Sequence, residues 1–291
     1  MGGSKTDVAI AMRVSSAGEI YLSGIFNGTA LFGSTFLEAN ENLDSFVAKY
    51  DSDGNFVWAR QLGSNQLGAL VNDLAIDNNH IYITGNYVNN TLINGQTIMT
   101  DGMQSIFVAR FLLDGTPDFV RGFNNDLITT PTQIVCDNSG RLYISGVLQG
   151  TAQFGAHTLS SLDSENGIAI CLSSETGDVY WATSFGGSDY DAANSIAVAN
   201  GKCFVGGAFA QNATFGTNTL TSTGNLDAFL LQINQDVIST TPLVAASSTA
   251  WKTAPNPANT SFIFSATCFV SSVTSSDISP SLNCNTEHRQ L

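Results

Sequence analysis

Short runs of alternating apolar and polar residues fill most of the chain, and none keeps the period of 3.6 that a helix requires. At its start the runs cover residues 8–14, 20–26, 45–51 and 56–62. They are rich in β-branched and aromatic residues, and turn pairs such as Asp53-Gly54 separate them. The pattern therefore predicts a unit of four short antiparallel strands.

The same unit returns at a constant spacing of 61 residues. Its second strand carries an aromatic-x-x-Gly signature, whose aromatic residues are Tyr21, Tyr82, Tyr143 and Phe204. Three further apolar anchors keep the spacing and stand at positions 32, 93, 154 and 215, at 37, 98, 159 and 220, and at 46, 107, 168 and 229. Four anchors in one register indicate four structural repeats.

A four-stranded sheet of this kind has two apolar faces, so each repeat needs a neighbour on either side. Stacking the sheets around an axis supplies those neighbours and leaves only short edges. We therefore predict an all-β protein, a β-propeller of four-stranded antiparallel blades over residues 1–238. The blades either close as a four-bladed ring or form a fragment of a larger propeller. A linear β-solenoid is the alternative, but its coils are usually shorter.

The signature glycines have a predicted role in this packing. They end the aromatic-x-x-Gly segment of each repeat, and they are Gly24, Gly85, Gly146 and Gly207. Glycine inside a strand marks a bulge or a close approach of another backbone. We expect one of these at each position.

The repeat is similar to that of the SBBP beta-propeller repeat family. The resemblance lies in Ile20–Gly24, Ala30–Gly33 and Asp44–Ala59, and it extends over about residues 2–235. It implies the propeller fold and says almost nothing about activity, because members of the family share no catalytic site.

The chain departs from this family in blade number, since only four units are present. Residues 2–4, Gly-Gly-Ser, align with residues 186–188 at a blade junction. Further blades of a longer chain are therefore among the partners that we expect. The fourth unit lacks the strand-four aromatic residue, as terminal repeats often do.

The repeat pattern is lost from about Pro242, and we assign residues 239–291 to a Ser/Thr-rich linker and tail. Within it, residues 254–259 (Ala-Pro-Asn-Pro-Ala-Asn) are similar to the opening of the sorting domain of the type IX secretion system. A plain Pro-rich turn explains the same residues. The resemblance implies an extracellular or cell-surface location, although the N-terminus shows no signal peptide.

Composition narrows the classes of molecule that we expect the protein to bind. The chain has 10 Lys and Arg against 24 Asp and Glu, a formal net charge of −14, which repels the phosphates of nucleic acids. No stretch of about 20 apolar residues is present, so we predict no membrane insertion. The charged fraction is only 12%, a weakly charged surface that is common in secreted proteins.

No residue pattern predicts a catalytic, metal or cofactor site. Residues 51–55 (Asp-Ser-Asp-Gly-Asn) resemble the start of a calcium loop but lack its later Glu, so a hairpin turn is the preferred interpretation. His80, His157 and His288 are isolated, and no Gly-x-Ser-x-Gly motif is present. We therefore predict no catalytic residues, no metal and no cofactor.

The remaining titratable residues have structural interpretations. Three cysteines in predicted strands, Cys136, Cys171 and Cys203, are predicted to be buried free thiols. A disulfide between Cys268 and Cys284 is an alternative for the tail. Near the starts of the first strands stand Asp7, Asp73 and Asp191, which we expect at a solvated mouth of the central channel.

The segments that follow the anchors between strands two and three differ freely among the repeats. They cover residues 38–43, 99–104, 160–165 and 221–226. Variable tips on a regular scaffold form binding surfaces, and the acids of the first three tips are the candidate ligand-binding residues Glu38, Glu41, Asp101, Asp163 and Glu165. We predict a non-catalytic extracellular scaffold that binds a protein or a glycan. The alternative is a propeller enzyme, a lyase or hydrolase, with its site on the central axis.

Overall fold

A computed structural model describes residues 2–63, 69–137, 139–234 and 239–246, and every regular element in them is a β-strand. The strands form four principal antiparallel sheets, here called blades 1 to 4 in chain order. The strands of blade 1 and its edge are β1 (Gly2–Gly3), β2 (Asp7–Val14), β3 (Ile20–Phe32), β4 (Thr35–Tyr50) and β5 (Phe56–Gln61).

Blade 2 has a separate outer hairpin, whereas the corresponding strands of blade 3 run on without a break. The strands of blade 2 are β6 (Ala69–Ile76), β7 (His80–Tyr87), β10 (Ser105–Leu112) and β11 (Pro117–Gly122), with the hairpin β8 (Thr91–Ile93) and β9 (Gln96–Ile98). Those of blade 3 and its edge are β12 (Asn124–Asn125), β13 (Ile128–Cys136), β14 (Arg141–Phe154), β15 (His157–Ser173) and β16 (Val179–Gly187).

Blade 4 completes the series. Its strands are β17 (Asp191–Ala199), β18 (Lys202–Phe209), β21 (Asp227–Asn234) and β22 (Ser239–Ala246), with the outer hairpin β19 (Asn212–Phe215) and β20 (Asn218–Thr221). The predicted propeller boundary at residue 238 falls just before β22. This strand pairs with β21 from Asn234↔Ser239 to Ala228↔Ala246, so the fourth sheet continues into the segment that the sequence assigns to the linker.

The blades stack face to face in chain order. The inner strands β2, β6, β13 and β17 contact one another in succession, and each interface between blades encloses one apolar core. Between blades 1 and 2, for example, Tyr21 and Trp58 of the first sheet pack with Leu74, Ile83 and Phe107 of the second. The predicted all-β propeller architecture with a 61-residue repeat is therefore confirmed.

The described blades form an open arc. No strand of blade 1 makes an extended contact with a strand of blade 4 among the described residues. The inner strand of blade 1 accordingly leaves Met12 and Val14 exposed. Of the two predicted arrangements, the structure therefore does not show the closed four-bladed ring.

The signature glycines lie where two backbones approach closely. The first strand of each blade has a bulge opposite them, as between Val71 and Asp73 in blade 2. A side chain at Gly85 would overlap the carbonyl oxygen of Leu70, and the ring of Phe107 lies 2.7 Å from where its Cβ would stand. The same carbonyl contact recurs at Gly24, Gly146 and Gly207. Both predicted roles of the glycine, the bulge and the close approach, are confirmed.

Gly85→Ala should lower the free energy of unfolding by about 2–3 kcal/mol, because a fixed backbone carbonyl and a buried ring must both move. Gly224→Ala is the matched control, since no atom lies within 4 Å of its added Cβ. This control should stay within about 0.5 kcal/mol of the parent chain. Denaturant unfolding followed by tryptophan fluorescence measures both changes, and equal stability of the two variants would contradict the packing role.

Candidate functional site

The variable tips of blades 1 and 3 are wide bulges on the long hairpins. In blade 1, Thr29 pairs with Glu38 and Asn27 with Leu43, so residues 39–42 have only Gly28 opposite them. In blade 3, residues 162–165 are likewise inserted between the pairs Gly150↔Ser161 and Leu148↔Asn166. The central residues of these two predicted tips, 39–42 and 162–165, therefore leave the ladder.

A left-handed backbone residue supports each tip. It occurs at the same repeat position in all four blades, as Gly28 (φ 68°), Asn89 (φ 52°), Gly150 (φ 87°) and Gln211 (φ 45°). Glycine adopts this conformation without strain, whereas the side chain of Gln211 makes it costly. Because even a glutamine is held there, the surrounding hairpin fixes the backbone below the tip regardless of the tip sequence.

The predicted rim acids are dispersed over three blades. Glu38, Asp101 and Asp163 are exposed, and Glu165 is half-buried. The side chain of Glu41 lies outside the described part. Among the residues that the structure describes, no three His, Cys, Asp or Glu side chains are grouped closely enough to hold a metal ion.

One rim acid already has a partner from the next blade edge. The carboxylate of Asp101 accepts a hydrogen bond from Nδ2 of Asn124 (2.7 Å), and the Asp101 amide donates to Oδ1 of Asn124 (2.8 Å). This pairing ties the blade 2 tip to β12 at the edge of blade 3. Asp101 is thus a structural contact of the rim as well as an exposed acid.

The axial acid Asp73 is buried and joins three blades. Its carboxylate forms an ion pair with Arg13 of blade 1 at 3.0 Å and accepts a hydrogen bond from the Ile134 amide of blade 3 at 2.9 Å. Burial raises the pKa of this carboxyl, while the Arg13 charge opposes the rise. The expectation that Asp73 lies at a solvated channel mouth is wrong, because the bulge in the next blade requires a buried acceptor.

The next blade makes the same link with a neutral side chain. Gln133 follows the bulge of β13 as Asp73 follows that of β6, and its Oε1 accepts a hydrogen bond from the Ile196 amide of blade 4 at 2.8 Å. An amide oxygen and a carboxylate therefore fill one structural position. The charge of Asp73 is not required by the link itself.

Asp191 was also expected at a solvated channel mouth, and this expectation is wrong as well, because its side chain is fully buried. Its carboxylate accepts hydrogen bonds from the amides of Gly187 (2.6 Å) and Ala210 (3.3 Å). Burial raises the pKa of Asp191 to about 6, while the two amides oppose the rise. Asp7 repeats one contact, since it accepts from the Gly3 amide at 2.6 Å. Asp191 and Asp7 therefore each accept a hydrogen bond from a backbone amide of the segment that precedes their strand.

In the turn between strands three and four of blade 1, hydrogen bonds within the turn already occupy the carboxylate oxygens of Asp51, the first residue of the sequence that resembles a calcium loop. The Asp51 carboxylate accepts hydrogen bonds from the amides of Asp53 (2.9 Å) and Asn55 (2.8 Å) and from Nδ2 of Asn55 (2.9 Å). These bonds lower the pKa of Asp51 and hold it as a carboxylate. The hairpin-turn interpretation is confirmed.

The described cysteines are free thiols, as predicted. Cys171 and Cys203 are buried, while Cys136 is half-buried. Burial raises the pKa of the Cys136 thiol to about 11 and that of Cys171 to about 12, so neither forms a thiolate near neutral pH. Three features of the tail lie outside the described residues: the alternative Cys268–Cys284 disulfide, His288 and the sorting-like segment at 254–259.

A polar cleft of about 270 Å³ lies between the outer parts of blades 3 and 4. Its lining comprises Asn166, Thr183, Ser184, Phe185, Gly186, Thr214 and Gly216. Asn166 directly follows the blade 3 bulge, and its Oδ1 is buried without a hydrogen-bond partner. At the equivalent position of blade 1, Asp44 accepts a hydrogen bond from the Gly63 amide at 3.1 Å. Asn166 therefore holds a free acceptor at the foot of a predicted tip.

Sequence reasoning missed this cleft. Asn166 is one of many asparagines in the chain, and its neighbours across the cleft are distant in sequence. The useful signal was positional, because the repeat aligns Asn166 with Asp44 and Asp227, both of which are buried. Ser105 of blade 2 stands at this position as well, so it is polar in every blade and acidic in two of them.

No protein-family model matches the chain, and no curated protein matches it. Among solved structures, it is similar to the Pan2 WD40 domain of Neurospora crassa, with 9% identity, 81% of this chain covered and a TM-score of 0.42. It is also similar to a GH43 BlXynB protein from Bacillus licheniformis, with 11% identity, 80% of this chain covered and a TM-score of 0.37. A mutant apocarotenoid oxygenase from Synechocystis has 10% identity, with 84% of this chain covered and a TM-score of 0.40. The chain spans 66%, 40% and 51% of these proteins in turn.

The described residues contain no helix that is both long and apolar enough to cross a membrane. The SBBP resemblance, the location and the identity of any ligand stay predictions, since neither the fold nor the similarities test them.

The raised pKa of Asp191 predicts a specific pH dependence. Its pKa of about 6 in the folded state lies above the ordinary aspartate pKa of 3.8, so the folded state retains the proton at pH values where the unfolded state has lost it. The stability contributed by this group is therefore present below about pH 4 and is lost as pH rises to about 6.

Asp191→Asn removes this titration. The stability of the parent chain relative to this variant should fall between about pH 4 and pH 6 and level off above pH 6. Thermal unfolding of both proteins at half-unit pH steps measures the difference. A difference that stays constant through this range would show that Asp191 does not titrate there.

Proposed function

We propose that this protein is a non-catalytic, extracellular or cell-surface binding scaffold of the SBBP-like type, whose ligand contacts lie on the tips of the outer hairpins. The observation that carries the proposal is the contrast at each tip. The backbone below it is left-handed at the same repeat position in every blade, while the tip sequences differ from blade to blade. A constant support with variable projections is the arrangement of a binding surface.

The buried acids also support a scaffold. Asp73 and Asp191 are both held by backbone amides from neighbouring segments, and Asp73 is paired with Arg13 as well. An acid or base on the central axis needs a geometry that leaves its oxygens free to reach a substrate. These carboxylates instead connect the blades, so no specific contact favours the enzyme alternative.

Glycans are the ligand class that best suits the cleft beside the blade 3 tip. Its polar lining is uncharged and comes from an amide and from the hydroxyl residues Thr183, Ser184 and Thr214. Neutral donors and acceptors of this kind match sugar hydroxyls.

Two variants test this proposal on a glycan array. Asn166→Ala should lower affinity for a bound glycan by up to about tenfold, the value of one hydrogen bond. Replacing residues 162–165 by Gly-Ser-Gly-Ser should abolish the signal. Both should keep the thermal stability of the parent chain, because the tip leaves the ladder and the Asn166 oxygen has no internal partner.

Asp53→Ala is the matched control, since Asp53 is an exposed acid on the strand three to four turn, away from the tips. It should bind as the parent chain does. Binding that survives replacement of all four tips would contradict the proposal. Binding of a protein panel in place of glycans, lost in the same tip variants, would keep the scaffold function and replace the ligand class.

A further inference from the structure

The tip of blade 2 presents two methionines to solvent. Met99 directly follows β9, and Met103 stands two residues before β10. They are 66% and 67% exposed, and with Phe36 they are the most exposed large apolar residues that the structure describes. Each carries a thioether, a polarizable group that can be oxidised. Two oxidisable sulfur atoms therefore stand on one short loop.

The backbone of this loop is held by its neighbours. The carbonyl of Met99 accepts a hydrogen bond from the Tyr87 hydroxyl at 2.7 Å, and the amide of Met103 donates to the Leu127 carbonyl at 2.8 Å. Between the two methionines, Asp101 is hydrogen-bonded to the edge strand β12. None of these bonds uses a methionine side chain. A chemical change at either sulfur therefore leaves the anchoring of the tip in place.

The described cysteine thiols compete poorly for an oxidant. Cys171 and Cys203 are buried, and burial raises the pKa of both thiols. The thiol of Cys136 donates to the Ile76 carbonyl at 3.0 Å, and burial raises its pKa to about 11. Because oxidants react with the thiolate, these thiols are protected near neutral pH. A thioether needs no deprotonation, so the exposed methionines are the reactive sulfur groups of the described residues.

Met12 offers an internal comparison. It is 55% exposed and stands inside strand β2, with Val14 two residues further on the same face of the strand. Its side chain thus has an apolar neighbour on a flat sheet, whereas the tip methionines stand on a projecting loop. We expect Met12 to react no faster than Met99 and Met103.

We propose that Met99 and Met103 are modification sites at which hydroperoxides convert the thioether to methionine sulfoxide. A lone pair of the sulfur attacks one oxygen of the peroxide, so that a sulfur–oxygen bond forms and the oxygen–oxygen bond breaks. The second oxygen takes up the proton of the transferred one and leaves, as water from hydrogen peroxide or as an alcohol from an organic hydroperoxide. The sulfur loses an electron pair, which the peroxide gains.

The oxidation changes the polarity of the tip. A sulfoxide is polar, so two exposed apolar side chains become hydrogen-bond acceptors on an unchanged backbone. Methionine sulfoxide reductases return the sulfoxide to the thioether, one enzyme for each epimer. The blade 2 tip therefore has two interconvertible surfaces. The modification needs only the folded chain and a peroxide, and it is independent of the proposed ligand.

Peptide mapping by mass spectrometry after brief treatment with hydrogen peroxide locates the oxidised residues. Met99 and Met103 should each gain one oxygen atom, at rates within about threefold of those in a free peptide of residues 96–105, because susceptibility follows exposure. Cys171 and Cys203 should stay unmodified in the folded chain. Tip methionines that stay intact while Met12 or the cysteines are oxidised would overturn the proposal.

Hydrophobic-interaction chromatography measures the change of surface. The oxidised parent chain should elute earlier than the untreated chain, because the tip has become more polar. Treatment with the reductases for both epimers should restore the original elution. The midpoint of denaturant unfolding should be the same before and after oxidation, since the anchoring bonds of the tip are made by the backbone and by Asp101.

Met99→Leu combined with Met103→Leu removes both sulfur atoms and keeps apolar side chains of similar volume. The elution of this variant should not respond to peroxide. Met12→Leu is the matched control and should keep the shift of the parent chain. A shift that persists in the Met99→Leu, Met103→Leu variant would place the response at other residues. A parent chain that unfolds at lower denaturant after oxidation would show damage to the fold. Either result overturns the proposal.

Discussion

Burial of both faces of every sheet is the constraint on which this structure depends. A blade of four strands has apolar side chains on each side, and only another blade offers a matching surface. The interface between blades 1 and 2 shows the match, where Trp58 of one sheet reaches the turn of the next and its Nε1 donates to the Leu113 carbonyl at 3.2 Å. The repeat spacing, the glycine positions and the axial hydrogen bonds all follow from bringing such faces together.

The signature glycine connects this packing to the inner bulge. Because Gly85 has no side chain, the Leu70 carbonyl and the Phe107 ring both occupy the space above it. The bulge then turns the inner strand and leaves an amide that needs an acceptor from outside the sheet. Asp73 supplies that acceptor to blade 3, and Gln133 supplies it to blade 4. Close packing within one blade thus creates the hydrogen bond that joins it to the next.

The sequence predicted the fold well because the packing constraint repeats. An anchor such as Phe46 recurs at a fixed spacing, and one apolar position predicts its equivalents in the other blades. It predicted β22 poorly, because this strand contains Pro242 and lacks the aromatic residue of its counterparts, and backbone pairing with β21 does not depend on either. Strand pairing is set by the backbone, which side-chain patterns report only indirectly.

The candidate site was less predictable for two physical reasons. An exposed acid such as Asp163 and a buried one such as Asp191 look alike in a sequence, and only the fold determines which one loses water. The left-handed position below each tip was hidden as well, since it holds Gly28 in one blade and Gln211 in another. Side-chain identity does not report backbone conformation where the surrounding structure imposes it.

Substitutions within the chain show how strongly neighbouring positions depend on each other. Tyr82 donates its hydroxyl hydrogen to Asp77 at 2.7 Å, and Tyr143 does the same to Asp137 at 3.0 Å. In blade 4 the tyrosine is replaced by Phe204, and the turn before it, residues 199–201, contains no acid. If only the tyrosine or only the acid were replaced, the remaining group would be left without its hydrogen-bond partner. The two are therefore lost together. The aromatic ring is retained, which indicates that its packing surface is under a separate constraint. Phe204 is itself buried, so the packing of the ring is retained at the position where the hydrogen bond is lost.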